Sequence, residues 1–101
     1  MAYYYLDEDH NILTTDDISI LGTVYKDPRR IVGNDRVNGY LVSTVFLGID
    51  HNYTGEGLPV LFETMVFKDD GKFSDDYCER YCTWAESEIG HKKALDIYTP
   101  K

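Results

Sequence analysis

Leu41-Val42-Ser43-Thr44-Val45-Phe46-Leu47-Gly48-Ile49-Asp50-His51, a polar loop, and Val60-Leu61-Phe62-Glu63-Thr64-Met65-Val66-Phe67 decide the fold. Both runs are rich in β-branched and aromatic residues, which suit a pleated, half-buried surface. The loop from Asp50 to Pro59 holds two glycines and a proline. It is longer than a tight hairpin needs, and such loops often carry function. Asn38-Gly39 stands just ahead of the first run. Between two β-like runs this pair is a strong hairpin signal, because both turn residues need positive φ.

Working outward, Arg29 to Val37 reads as the strand before that turn, centred on Ile31 and Val32. Tyr40 to Asp50 reads as the strand after it, and Val60 to Phe67 as the next. Asp69-Asp70-Gly71 turns the chain, and a last strand lies within Asp75 to Cys82. Thr83-Trp84-Ala85-Glu86 matches the capping box, so a helix runs from there to about Tyr98 and stops before Pro100. At the other end, Tyr3 to Leu6 and Ile12-Leu13 flank a charged turn. Thr15-Asp16-Asp17 signals a helix start, with acids where the dipole favours them. Ile18, Leu21 and Tyr25 share one face of that helix, and Pro28 ends it. The order β-β-α-β-β-β-β-α predicts one α+β domain over residues 1–101. Its core is an antiparallel meander of four to six strands with two helices packed on one face.

The chain has 101 residues and a net charge of −8. That balance argues against binding nucleic acid through its phosphates. It suits a basic protein partner, a DNA-mimicking surface or plain solubility. No apolar run is long enough to span a bilayer, and Met1-Ala2-Tyr3-Tyr4-Tyr5 lacks a basic leader. Cytoplasmic residence without membrane contact is the expectation. Cys78 and Cys82 would stand about 13 Å apart on one strand, beyond disulfide reach. Two reduced thiols are expected, with a two-ligand metal site the lesser alternative.

Alternation along the strands sorts the central residues by face. If the hairpin closes symmetrically about its loop, Phe46 lies opposite Glu63 and Gly48 opposite Leu61. Ser43, Val45, Leu47 and Ile49 then join Val60, Phe62, Thr64 and Val66 beneath the helices. The other face carries Thr44, Phe46, Gly48, Asp50, Leu61, Glu63, Met65 and Phe67. Glu63 among apolar neighbours needs solvent or a cation, with Arg29, Arg30, Arg36 and Arg80 as candidates. Asp50-His51 is either an acid–base pair, two metal ligands, or turn chemistry at a loop entrance. His91 shares a helical stripe with Trp84, Ser87, Leu95 and Tyr98, so it should face the sheet. Gly90 beside it permits close helix–sheet contact. A histidine so placed is more often a satisfied core residue than a ligand. Thr44, Phe46, Asp50, His51, Tyr53, Glu63, Met65 and His91 form the candidate ligand or partner surface. No HExxH, P-loop or G-x-S-x-G motif is present, and no cofactor or metal centre is expected.

The strings Ser43 to His51, Leu61 to Phe67, Arg80-Tyr81-Cys82-Thr83 and Glu86 through Gly90-His91 resemble a group of small tailed-phage and prophage proteins of uncharacterised function. The likeness runs from about Arg29 to the C-terminal helix, in the same order. Those relatives often place a Gly-rich segment after the Asp-His pair, where this chain has Asn52-Tyr53-Thr54 before Gly55. The resemblance implies a phage or prophage origin and action inside a bacterial host. By analogy with other small phage proteins it implies a non-catalytic binding module that antagonises a host defence factor. Its partner would be that host protein or a second copy of the chain. A small metal-dependent or acid–base enzyme, or ligand binder, using Asp50, His51, Glu63 and His91 is the alternative. An acidic DNA mimic, built from Asp7-Glu8-Asp9, Asp16-Asp17, Asp69-Asp70 and Asp75-Asp76, is the second.

Overall fold

The structure, a computed structural model, describes residues 2–68 and 73–100. In chain order its elements are β1 (Tyr3–Leu6), β2 (Ile12–Thr15), α1 (Ile20–Lys26), a 3-10 turn (Pro28–Arg30), β3 (Ile31–Val37), β4 (Tyr40–Phe46), β5 (Phe62–Lys68), β6 (Phe73–Tyr81) and α2 (Trp84–Tyr98). Strands β3 to β6 form an antiparallel meander in sequence order, and β1–β2 form a separate hairpin. The α+β antiparallel class is as expected. Asn38 (φ 48) and Gly39 (φ 81) make the β3–β4 turn in the left-handed region, as that pair favours. The expected turn at Asp69-Asp70-Gly71 lies outside the described residues.

The register of the central pair differs from the symmetric closure. Phe46 faces Phe62, Thr44 faces Thr64 and Val42 faces Val66. Strand β4 stops at Phe46 rather than running to Asp50, because Gly48 turns the backbone at φ 77. Leu47 N–H bonds to the Leu61 carbonyl and His51 N–H to the Val60 carbonyl. Four residues therefore advance on one side of the loop for one on the other. An odd offset flips a strand's faces. Thr44, Phe46, Gly48 and Leu61, expected on the bare face, are all buried. Ser43 and Val45 take the opposite face instead. Glu63, Met65 and Phe67 stay on the bare side, as expected.

Both helices lie on the covered side. α2 packs across all four strands of the sheet, and α1 packs mainly on β1. The core divides in two. Leu6, Val24, Phe46, Leu61 and Phe62 pack with Trp84 at one end; Val42, Val66, Tyr77 and Ala94 pack with Tyr40 and Tyr98 at the other. Burial of each such large side chain contributes about 1.5–3 kcal/mol. The N-terminal hairpin is tied to the first half. Tyr4 N–H donates to the Gly48 carbonyl at 2.9 Å, and the His10 ring stacks on Trp84 at 3.8 Å.

The helices begin differently. At α2, Thr83 Oγ1 accepts from Glu86 N–H, and Glu86 reaches back to Thr83 N–H, completing the capping box. At α1 the helix starts later than Thr15-Asp16-Asp17. Those residues instead build tight turns: Thr15 Oγ1 accepts from Asp17 N–H, and Asp17 from Ser19 N–H. Short polar side chains of this kind compete with helix by bonding local backbone. Ser19 occupies the N-cap position without a side-chain cap.

Candidate functional site

A polar band separates the two apolar halves. Alternation places Asp35 of β3, Thr44 of β4, Thr64 of β5 and Tyr81 of β6 beneath α2. His91 projects onto them. Its Nδ1 lies 2.7 Å from Thr44 Oγ1, and its Nε2 lies 2.6 Å from Asp35 Oδ2. Thr44 Oγ1 lies 2.6 Å from Thr64 Oγ1, which accepts from the Tyr81 hydroxyl at 3.1 Å. Two glycines make the space. A Cβ on Gly33 would overlap the His91 ring, and a Cβ on Gly90 would overlap Tyr81. His91 thus faces the sheet and is buried among partners, as its stripe and Gly90 predict.

With Tyr81 donating, one arrangement gives every hydroxyl proton in this row an acceptor. Tyr81 donates to Thr64, Thr64 to Thr44, Thr44 to Nδ1 of a neutral His91, and Nε2–H to Asp35. A proton on Nδ1 would reverse the Thr44 and Thr64 donations and leave the Thr64 proton without an acceptor in the row. A hydroxyl, an imidazole and a carboxylate in series match the connectivity of a nucleophile–base–acid relay. Here the Thr44 hydroxyl is fully buried under α2, so no substrate carbonyl can approach it. The row bonds the sheet to its helix.

The remaining candidates lie elsewhere. Asp50 accepts from Asn52 N–H at 2.7 Å and from Val60 N–H at 2.8 Å. His51 Nδ1 lies 2.9 Å from the Ile49 carbonyl, which it bonds as a donor. Asn52 donates its amide to the Glu56 and Leu58 carbonyls. Asp50-His51 therefore holds the loop closed, the turn chemistry among the readings above. Tyr53 at the loop tip is 83% exposed. Glu63 pairs with Arg80 at 2.8 Å on the opposite face from His91, so Glu63 and His91 do not share a site. Among the described residues no cluster of three or more His, Cys, Asp or Glu is placed to hold a metal ion.

The bare face carries Leu41, Ser43, Val45, Glu63, Met65, Phe67, Cys78 and Arg80, with Ile31 at its edge. Glu63 also accepts from the Cys78 thiol at 3.7 Å. Desolvation, and then the Glu63 charge, push the Cys78 thiol above its ordinary value. Desolvation does the same at Cys82, and both thiols are free. The Glu63 hydrogen bond in turn raises Arg80, keeping it charged. Asp35, Thr64 and Tyr81 were not among the expected site residues. The period-two pattern of β3 would have paired Asp35 with Gly33 on one face, but only the register links them to His91.

No protein-family model, curated protein or solved structure matches this chain. No helix among the described residues is long and apolar enough to cross a membrane.

Proposed function

We propose that this protein is a small binding module that grips another protein with the bare face of its four-stranded sheet. The observation that carries the reading is the half-buried apolar stripe Leu41, Val45 and Met65, on the sheet face opposite α2 among the described residues and crossed by the Glu63–Arg80 pair. Contiguous apolar surface on one side of a small domain marks an interaction site. The embedded ion pair supplies orientation, because a partner must satisfy both charges as it excludes water. The net charge of −8 opposes self-association and favours a partner with a basic rim. On the phage resemblance, that partner is a bacterial host protein met inside the cell, and binding blocks it.

The hydroxyl–imidazole–carboxylate row supports binding over catalysis, since its hydroxyl is sealed. Affinity capture from bacterial lysate, compared between the native chain and Val45→Lys/Met65→Lys, tests the reading. The native chain should retain a stoichiometric protein that the double variant loses, with about tenfold weaker binding at least. Equal retention by both would remove this face from the interaction. Light scattering that shows a dimer broken by the same two changes would make a second copy the occupant instead.

A further inference from the structure

A cleft of about 270 Å³ opens between the β1–β2 hairpin, α1 and the 3-10 turn. Leu6, Val24 and Phe46 line its depth, with Ile20 alongside. Its mouth carries Asp7, Glu8, Asp27, Arg29 and Arg30. Two of these acids are already engaged. Asp7 accepts from the backbone N–H of Asp9 and of Asn11, and from the Asn11 side-chain amide. Asp27 accepts from Arg29 N–H and pairs with Arg29 Nε at 2.9 Å. Arg30 has no carboxylate partner among the described residues. Its guanidinium lies over the Tyr25 ring, 5.8 Å from the centroid. The Arg30 side chain makes no hydrogen bond or ion pair among the described residues, so its guanidinium N–H donors are available to a ligand.

An apolar recess with one unspent, planar, bidentate donor at its mouth suits a specific ligand chemistry. We infer that this cleft binds a small organic carboxylate, its apolar body against Leu6, Val24 and Phe46 and its carboxylate forked on Arg30. The volume is just under the usual range for drug-sized ligands, so the ligand is of arylacetate size. The mouth as a whole keeps one net negative charge, because three acids face two arginines. Selectivity for an anion therefore comes from the placed guanidinium, and Glu8, exposed and across the mouth, works against it.

The test is a methyl-resolved NMR titration of the full chain with phenylacetate, and separately with phenethylamine, which has a similar body and the opposite charge. Phenylacetate should shift the Leu6, Ile20 and Val24 methyls saturably, and phenethylamine should bind at least tenfold more weakly. Arg30→Gln should weaken phenylacetate by roughly tenfold or more, the size of one charge-assisted bond. Glu8→Gln should tighten it severalfold. Both changes are at the rim, so an unchanged spectrum without ligand confirms that the fold is kept. Equal binding of the amine, undiminished binding by Arg30→Gln, saturable shifts only at other methyls, or no saturable shift up to about 10 mM (well beyond a millimolar site) would each overturn the inference.

Discussion

The two ends of the covered sheet face are closed by helices of different quality. α2 has 15 residues, a complete capping box and four buried positions: Ser87, Gly90, His91 and Ala94. α1 has seven residues, no side-chain cap and one buried position, Val24. Below α2 the packing is tight enough that two glycines are needed for helix and sheet to meet. Beside α1 a cleft remains. The contrast teaches that one sheet face can be sealed for stability at one end and left accessible at the other. Helix length, capping and footing set the difference, since α2 packs across β3 to β6 and α1 mainly on β1.

Removing what the two ends share should break the contrast most. Phe46 lies at the depth of the cleft and stacks edge-on against Phe62 at 5.3 Å, which in turn meets Trp84 of α2. Phe46→Ala should cost about 3–5 kcal/mol in urea unfolding. It should also abolish ligand-induced shifts at the cleft. A loss below 1 kcal/mol would show that the two ends are not joined through this ring.

The polar band comes next. Thr44→Val removes the partner of both His91 Nδ1 and Thr64, at a cost of about 1–3 kcal/mol. Thr44→Val/Thr64→Val should cost less than the sum of the two single changes, because the groups belong to one row. Additive losses would dissolve the row into separate contacts.

Capping sharpens the contrast directly. Thr83→Ala should lower stability by about 1 kcal/mol. Ser19→Ala should change it by no more than about 0.5 kcal/mol, as a surface substitution does, because Ser19 makes no side-chain cap. Comparable losses at both positions would mean that α1 is better anchored than its geometry indicates.

The smallest neutral-pH effect should come from Tyr77. Its hydroxyl is buried beside that of Tyr81, with no well-formed hydrogen bond among the described residues. Tyr77→Phe should therefore be near neutral at pH 7. Burial pushes the Tyr77 phenol up to about 12 from its ordinary value of 10.0. The unfolded chain thus loses this proton first, and stability should fall as pH rises from about 10 to 12. Thermal unfolding across that window should show a shallower fall for Tyr77→Phe than for the native chain.

Local signals predicted their local structures well. Asn38-Gly39 turns where the pair demands positive φ, Thr83 and Glu86 cap α2 as spaced, and the Trp84–His91 stripe faces inward. The β4–β5 register was not legible, because it depends on how the Asp50 to Pro59 loop closes. Asp50 and Gly48 take up residues on one side that symmetric closure does not allow for. The α1 start falls later than Thr15-Asp16-Asp17 because Thr15 and Asp17 resolve their hydrogen bonds in turns, a competition that composition leaves open. The cleft joins residues 5–8, 20–30 and 46 from three separate stretches. No periodicity within any one of them encodes that meeting.

Asp35 is the far end of the row that starts at Tyr81, and it is 56% exposed while its His91 partner is 8% exposed. The interior is therefore wired to a point that solvent and spectroscopy can both reach. The nitrogen resonances of a single imidazole become a gauge of whether the long helix is seated. A worker who follows them through any of the substitutions above reads the state of four strands from one side chain.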